Sequence, residues 1–328
     1  MVSVLEELPK PFTVLAPMDD VTETVFRRVI AGCAPPDLFF TEFVNVDALQ
    51  SEGRASALRR LKYTEEERPL IAQIWGSRSE NFYKTARELV EMGFDGVDLN
   101  MGCPDKSVVK NACGGGMIQY PDKAVEIIQA ARDGLDGKLP LSVKTRIGFR
   151  EYDERWLRTL LEQKLNMLSI HLRTVREMSK VPAHWEFAGQ VKKLRDEISP
   201  STLLVGNGDV LSHAIAMQLA VEHGYDGIMI GRGVFSDPYV FADHSPWESM
   251  PAFQKVKLFQ RHVELFFETW EEGERPIAPL NKFCKIYVSG FANAKDHREK
   301  LMSCKSILEL KAAIEEVLVK LAEPSLAA

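Results

Sequence analysis

A glycine-cysteine-proline turn is the part of this 328-residue sequence that most directly suggests chemistry. Cys103 lies between Gly102 and Pro104, three residues after an apolar run that is typical of a β-strand. A thiol with an ordinary pKa of roughly 8.5 is mostly protonated at neutral pH, so it can donate a proton. The other four cysteines are typical of small hydrophobic residues, and Cys113 is the most open of these because three glycines follow it.

Two further apolar runs carry pairs of polar residues at alternate positions. Lys144 and Arg146 form one pair, and His171 and Arg173 form the other. Because alternate side chains of a strand share a face, each pair points the same way. Lys144 could stabilise negative charge on a reduced flavin, form a Schiff base with a carbonyl substrate, or pair with Glu42 in the interior. The residues alone leave these three roles open.

Two glycine-containing loops indicate an anion site. Gly208 lies between Asn207 and Asp209, and Gly231 precedes Arg232. Glycine lets backbone N–H groups approach an anion closely, and an arginine adds positive charge. Tight turns could explain either glycine alone, but two such loops with an arginine favour a phosphate.

The spacing of strand and helix patterns predicts the scaffold for these residues. Eight apolar, β-rich runs recur with helix-patterned stretches between them, which favours a (β/α)8 TIM barrel over a doubly wound sheet. The C-terminal ends of barrel strands form one mouth, and the polar residues described above fall at those ends. The predicted strands are 12–17, 38–43, 70–75, 96–100, 141–147, 167–173, 202–206 and 227–231.

After residue 238 the pattern becomes entirely helical. Val256, Phe259, Val263 and Phe266 step by three and four along one apolar helix face, and two later stretches do the same. We therefore predict a barrel domain over residues 1–245 and a C-terminal all-helical domain of three or more helices over residues 246–328.

Composition sets the broad class. Hydrophobic residues make up 45% and charged residues 27%, which excludes a disordered or collagen-like chain. A net charge of −6 argues against a general binder of polyanions but leaves a local basic face possible. The widely spaced cysteines, the acidic N-terminus and the lack of a long apolar run predict a cytoplasmic protein that does not bind membranes. We also expect a monomer without a structural metal.

In these motifs the sequence resembles the tRNA-dihydrouridine synthases. The resemblance covers nearly the whole chain, and its most specific part is the run from Asp98 to Pro104, followed by Lys106 and the glycines 114–116. Residues 41–44 also resemble the bacterial C-type branch. The other motifs, in family order, are Ala16-Pro17-Met18, the segments 142–148 and 171–174, Asn207-Gly208-Asp209 and Gly231-Arg232-Gly233.

The resemblance implies a flavoprotein that binds FMN and is reduced by NADPH. It also implies that hydride passes to C6 of a uracil, that Cys103 gives a proton to C5, and that Asn100 helps to hold the base. The residues implied to bind the cofactor are Pro17, Met18, Asp19, Gln73, Lys144 and His171 toward the ring, and Asn207, Gly208, Asp209, Gly231 and Arg232 toward the ribityl chain and phosphate.

The implied substrate is a uridine in the D-loop of tRNA, whose unpaired bases can leave their stack at low cost. Asn45 and Ser179 depart from the family pattern on the expected RNA-contacting surface, which leaves the target uridine open. The residues expected to contact tRNA are Asn45, Asn100, Arg146, Arg173 and Ser179 in the barrel, and Lys282, Lys285 and Arg298 in the helical domain. Lys295, Lys300 and Lys305 are further candidates, and the alternative for the helical-domain cations is an ordinary solvated face.

Three other functions remain compatible with parts of the sequence. A flavin barrel could reduce or oxidise a small molecule such as a dihydropyrimidine or dihydroorotate, but such an enzyme would not need the helical domain. An aldolase or isomerase could use Lys144 without a flavin. A tRNA-binding protein without catalytic activity would leave Cys103 incidental.

Overall fold

The computed structural model describes residues 3–271 and 273–322, and the side chain of Lys282 lies outside the described part. The chain forms two compact units. Within the described residues, the first unit comprises 3–24 and 36–232, and the second comprises 25–35 and 233–322. The boundary predicted between residues 245 and 246 stays a prediction, and the sequence pattern did not indicate that residues 25–35 belong with the C-terminal helices.

The first unit contains a parallel β-barrel, as the alternating pattern predicts. In the described residues the strands follow the order β1-β9-β8-β7-β6-β5-β4-β2, and a parallel bridge between Val14 and Leu38 joins β1 to the segment before β2. β3 pairs with β4 beside β2. The strands are β1 Phe12–Leu15, β2 Phe39–Phe40, β3 Val44–Asn45, β4 Leu70–Trp75, β5 Gly96–Met101, β6 Leu141–Arg146, β7 Met167–His171, β8 Leu203–Asn207 and β9 Gly227–Ile230.

Helices alternate with the strands and then continue alone. The α-helices of the described residues are α1 Thr24–Cys33, α2 Val46–Leu49, α3 Arg54–Arg59, α4 Ser79–Glu91, α5 Lys106–Lys110, α6 Pro121–Leu135, α7 Glu154–Glu162, α8 Ala188–Ile198, α9 His213–His223, α10 Ala252–Thr269, α11 Ala278–Tyr287, α12 Ala294–Ser303 and α13 Ile307–Ala322. None of these helices is both long enough and apolar enough to cross a membrane.

The strand predicted over 38–43 is shorter in the structure, where β2 covers only Phe39–Phe40 and β3 begins at Val44, beyond the predicted run. Between β2 and β3, the Thr41 hydroxyl accepts the backbone N–H of Gln73 at 3.0 Å, so a side chain replaces a main-chain carbonyl of the ladder. The buried carboxylate of Glu42 accepts the N–H of Asp20 at 2.8 Å and a bond from Arg60 at 2.8 Å. These side-chain contacts take the place of regular strand pairing between β2 and β3.

The register of the sheet places polar side chains side by side in the barrel. Gln73 is paired with Asp98, and Asp98 with Ser142, on the adjacent strands β4, β5 and β6. One step toward the C-terminal ends, Asn100 is paired with Lys144. Because side chains alternate along a strand, Asp98 and Asn100 share a face, and so do Ser142 and Lys144. The barrel therefore carries a polar layer directly beneath its mouth.

The second unit packs helices around an aromatic core. Phe26 of α1 stacks on Phe283 of α11 with ring centroids 4.8 Å apart. The buried His262 of α10 lies 5.0 Å from the Phe283 ring, and its Nδ1 is 2.8 Å from the hydroxyl of Tyr287. The apolar stripes that the sequence predicts on α10, α11 and α13 form this core, and the helical C-terminal region is confirmed.

Candidate active site

A pocket in the barrel unit brings together most of the predicted site residues of this unit. Its wall also includes Leu211, which the sequence did not single out, and Phe43, which was noted only as part of the segment 41–44. The predicted residues that line it are Pro17, Met18, Asn100, Cys103, Lys144, Arg146, His171, Arg173, Ser179, Asn207, Gly208, Asp209, Gly231 and Arg232.

Three predicted residues lie elsewhere in the barrel unit. Gln73 is fully buried below the pocket, where both atoms of its amide form hydrogen bonds to side chains of β5. The carboxylate of Asp19 forms an ion pair with Arg60. The side chain of Asn45 accepts the N–H of Ala48 at 2.9 Å and caps α2. Cofactor binding by Gln73 and Asp19 and tRNA binding by Asn45 remain predictions.

The turn that carries Cys103 is held from both sides. The Asn100 side-chain oxygen accepts the N–H groups of Gly102 and Cys103 at 3.1 and 2.9 Å. The carbonyl of Cys103 accepts the N–H of Gly115 at 2.9 Å. Burial raises the pKa of the Cys103 thiol, so the thiol is protonated at neutral pH. A fixed, protonated thiol in a pocket wall is suited to proton donation.

Arg146 connects the Cys103 turn to the loop after β7. Its Nε donates to the carbonyl of Gly102 at 2.8 Å, and its Nη1 donates to the carbonyls of Thr174 and Met178 at 3.0 and 2.8 Å. Burial lowers the pKa of this guanidinium to about 10, so it remains a cation. The structure thus gives Arg146 a role in joining two loops of the mouth, besides its predicted contact with tRNA.

Lys144 is the ammonium group of the pocket. Burial, and next the charge of Arg146, lower the pKa of Lys144 to about 8, so the side chain stays mainly protonated at neutral pH. Within the described residues its Nζ forms no hydrogen bond, and the nearby groups act on it through charge alone. An ammonium of this kind is available to an acceptor on a bound ligand.

The hydrogen bonds of Arg173 determine the tautomer of His171. Arg173 Nη1 lies 2.9 Å from Nε2 of His171, and a guanidinium can only donate, so Nε2 accepts and the imidazole proton resides on Nδ1. Burial, with several nearby cations, holds the pKa of His171 well below its ordinary value. Arg173 also donates to the carbonyl of Val181 and pairs with Asp209. His171 is therefore a neutral side chain with one N–H to offer.

One of the two predicted anion loops, the one that contains Gly208, has a backbone geometry that requires glycine. Gly208 has φ +139°, and a Cβ at this position would lie 2.6 Å from the Cβ of Ala183. Trp185 Nε1 donates to the carbonyl of Gly208 at 3.0 Å, which fixes the orientation of the peptide. Beside it, Arg232 Nη2 donates to Asp209 at 3.0 Å while the Arg232 side chain remains 57% exposed. Arg232 is thus oriented and still accessible to an anion.

The predicted cations of the helical unit differ in their contacts. Lys285 is exposed on α11, whereas Arg298 donates to the carbonyl of Val288 at 2.8 Å and is partly buried. Lys295 and Lys300 pair with glutamates. The side chain of Lys282 lies outside the described residues. Binding of tRNA by these residues stays a prediction.

Sequence reasoning assigned no role to three residues that organise this part of the barrel: Asp98, Trp185 and Arg60. Asp98 was named only as the start of a motif, and its role could have been suspected because it alternates with Asn100 in an otherwise apolar strand. Trp185 and Arg60 could not, because the groups they contact, Gly208 and Glu42, are distant in sequence and no local pattern marks the contact.

The fold is similar to solved structures of a reductase and a dehydrogenase at low sequence identity. The structure of morphinone reductase superposes with a TM-score of 0.52 at 11% identity, covering 72% of this chain and 86% of the other. Histamine dehydrogenase from Rhizobium sp. 4-9 gives a TM-score of 0.52 at 12% identity, covering 77% of this chain and 48% of the other. At such identities the similarity shows the fold alone.

Sequence comparison shows the family. The probable tRNA-dihydrouridine synthase 2 of Bacillus subtilis (strain 168) is 46% identical over 313 residues, which cover 94% of this chain and 95% of the relative. The probable tRNA-dihydrouridine synthase of Staphylococcus aureus (strain COL) is 47% identical, covering 94% of each chain. The family described as "Dihydrouridine synthase (Dus)" matches residues 14–323. The chain belongs to the dihydrouridine synthase family.

Proposed function

We propose that this protein reduces a D-loop uridine of tRNA to 5,6-dihydrouridine, with FMN as its cofactor and NADPH as reductant. The protein is a tRNA-dihydrouridine synthase and a flavin-dependent oxidoreductase. The observation that carries the finer proposal is the common location of three groups. A protonated thiol, an ammonium without a hydrogen-bond partner among the described residues and a glycine-arginine anion site line one pocket.

The residues of the pocket fit FMN at both ends of the cofactor. Gly208 and Gly231 line the pocket beside the exposed Arg232, which suits a phosphate. At the other end, Lys144 and the Nδ1–H of His171 can donate to oxygen and nitrogen acceptors of a flavin ring. FMN bound here and reduced by NADPH would supply the hydride for C6 of the uracil.

The chain itself supplies the proton and the position of the base. Cys103 holds a proton on Sγ at neutral pH, and transfer of this proton to C5 completes the addition of two hydrogens. Asn100 lies in the pocket wall, but its oxygen accepts two backbone N–H groups. We therefore infer that Asn100 acts mainly by fixing the Cys103 turn and only secondarily by contacting the base.

The choice of a polynucleotide substrate is supported by the relatives and by the helical unit. The relatives named above are described as acting on tRNA, and they match this chain over nearly its whole length, including the helices that follow the barrel. We propose that residues 246–328 recognise tRNA, with Lys285 and Arg298 among the residues that contact phosphate. A base that enters a barrel mouth must leave its stack, and an unpaired loop base does so at low cost.

A comparison of substrates tests this proposal. The purified protein with FMN and NADPH is given tRNA from cells that lack dihydrouridine, free uracil or orotate, and NADPH consumption is followed by absorbance. We expect consumption stoichiometric with the reducible uridines of the tRNA and none above background with the small molecules. Rapid turnover of uracil or orotate, with no reaction on tRNA, would instead identify a small-molecule flavoenzyme.

A further inference from the structure

Beneath Cys103, a buried carboxylate and two amides form one continuous chain of hydrogen bonds. Asp98 Oδ2 accepts from Gln73 Nε2 at 2.7 Å. Gln73 Oε1 in turn accepts from Asn100 Nδ2 at 2.9 Å. The Asn100 oxygen then accepts the N–H groups of Gly102 and Cys103. The chain thus runs from the polar layer of the barrel to the turn that carries the thiol.

The groups at the two ends of this chain of hydrogen bonds determine which partner donates and which accepts in every bond between them. The backbone N–H groups of Gly102 and Cys103 can only donate, so the oxygen of Asn100 must face them. The nitrogen of Asn100 then faces Gln73, whose oxygen must accept, so the Gln73 nitrogen needs an acceptor on its other side. Asp98 Oδ2 is that acceptor, and Ser142 donates to the other carboxylate oxygen at 2.6 Å.

We propose that Asp98 is a positioning residue, which fixes the Gln73 and Asn100 amides and thereby holds the Cys103 turn in place. Without an acceptor at position 98, Gln73 loses the bond that orients its amide. Rotation of this amide would place two nitrogens against each other at the bond to Asn100, so Asn100 would be free to release the turn. The turn would then open more often and expose the thiol.

An alternative is that Asp98 acts by its charge. The carboxylate is fully buried, burial raises its pKa to about 7, and Lys144 influences it through charge and a backbone N–H. The two roles differ for Asp98→Asn, which removes the charge. The new amide can present its oxygen to Gln73 and its nitrogen to the Ser142 oxygen, so the direction of the hydrogen bonds survives. If Asp98 acts by setting the direction of the hydrogen bonds, Asp98→Asn should keep the Cys103 turn in place, as the original residue does. If Asp98 acts by its charge, Asp98→Asn should have the same effect as Asp98→Ala.

Alkylation of Cys103 in the apoprotein tests the proposal without relying on the proposed activity. The rate of carbamidomethylation by iodoacetamide at pH 8 is followed on the Cys103 peptide by mass spectrometry, with the Cys304 peptide as internal reference. We expect Asp98→Ala to raise the Cys103 rate about tenfold and Asp98→Asn to change it less than twofold, with Cys304 unchanged. An unchanged rate in Asp98→Ala, or the same increase in Asp98→Asn, would overturn the proposal.

A double substitution shows whether the effect passes through Asn100. Asn100→Ala alone should raise the Cys103 rate by a similar factor, and adding Asp98→Ala should then have no further effect, since both changes break the same chain. Additive effects would mean that Asp98 acts by another route.

If Asp98→Ala does not fold, Gln73→Leu breaks the same chain of hydrogen bonds at its middle and should give the same increase in the Cys103 alkylation rate. The relevance of Asp98 to catalysis rests on the proposed function, in which Cys103 donates a proton. The alkylation rates test the positioning role of Asp98 whether or not Cys103 donates a proton.

Discussion

The barrel mouth and the core of the helical unit differ in whether their incompletely bonded polar groups face a pocket. In the pocket, Lys144 has no hydrogen bond from Nζ to a described residue, and Arg232 is oriented by Asp209 while still open to solvent. In the helical unit, the buried His262 is a neutral side chain among aromatic rings with one bond to Tyr287. Unpaired buried cations cost stability unless a ligand satisfies them.

The two regions therefore differ in their capacity to bind a ligand. The barrel mouth leaves Lys144 Nζ without a hydrogen-bond partner among the described residues and Arg232 exposed, which suits an anionic ligand rich in acceptors. In the helical core, Nε2 of His262 also lacks a partner, but this side chain is fully buried among aromatic rings, so no ligand reaches it. Four substitutions test this difference.

The largest expected effect follows removal of the thiol from the pocket. Cys103→Ala should lower the rate of dihydrouridine formation by about 10²–10⁴, the usual loss for a general acid, while flavin binding persists. Single-turnover reaction of the reduced enzyme with unmodified tRNA measures this rate. Cys304→Ala in the helical unit is the matched control and should retain full activity. Equal activity of the two variants would show that Cys103 does not donate the proton.

The next effect concerns the anion end of the pocket. Gly208→Ala puts a methyl group 2.6 Å from the Cβ of Ala183 and requires φ +139° of a residue that rarely adopts it. We expect FMN to bind at least about tenfold more weakly, since the backbone of this loop must move. Titration of the apoprotein with FMN, followed by flavin fluorescence, measures the affinity.

Gly189 provides the control for this glycine. It lies in α8, where a Cβ would meet nothing within 4 Å. Gly189→Ala should leave FMN affinity unchanged and stabilise the helix by about 0.5–1 kcal/mol. Weak FMN binding in both variants would show that the barrel responds to any substitution, and the anion site would lose its support.

The third change tests the helical core through its response to acid. Burial lowers the pKa of His262 from 6.5 to about 3. The unfolded state therefore takes up the proton first, and the stability that His262 contributes is complete above pH 6.5 and is lost as the pH falls toward 3. Between pH 7.5 and 5 the helical unit should lose about 2 kcal/mol from this residue alone.

Hydrogen exchange of the α10 amides measures this loss, with His262→Phe as the variant that cannot titrate. The difference in protection between the two proteins should shift by about 2 kcal/mol over this pH range, in the direction that favours phenylalanine at pH 5. A difference that does not vary with pH would mean that His262 becomes protonated without leaving its aromatic surroundings.

The smallest effect is expected on the surface of the helical unit. Lys285→Ala should weaken tRNA binding a few-fold and lower the salt dependence of the binding constant by about one phosphate contact. Lys193, which is 79% exposed on α8 of the barrel unit, is the control, and Lys193→Ala should change neither quantity. Filter binding at several salt concentrations provides both values. Equal losses in the two variants would indicate a nonspecific effect of net charge.

The sequence predicted the elements well where local pattern decides the structure. β4 has the predicted bounds, because a continuous apolar run needs no distant partner to be recognised. The split between β2 and β3 was not predictable, since it depends on contacts of Glu42 with Asp20 and Arg60. Likewise, helix periodicity shows that α1 has an apolar face but not which unit covers it.

The candidate site, like the fold, was predictable where residue type and local position decide it. Residue type and position at strand ends were sufficient to find Cys103, Lys144, His171 and the two glycine loops. The hydrogen-bond partners of these residues could not be predicted, because they depend on which strands become neighbours in the barrel. The bonds of the Gln73 amide to Asp98 and Asn100 follow from the register of β4 and β5, and the expected contact of Gln73 with the flavin stays a prediction.

Mass spectrometry of tRNA gives a direct test of whether a D-loop uridine is the substrate. A tRNA pool from cells that lack this protein is incubated with the purified protein, FMN and NADPH, digested and mapped. We predict a gain of two hydrogens on a uridine of the D-loop, and no gain with Cys103→Ala in the same time. An unchanged D-loop, from a flavin-loaded protein that NADPH reduces, would contradict the assignment of tRNA as the substrate.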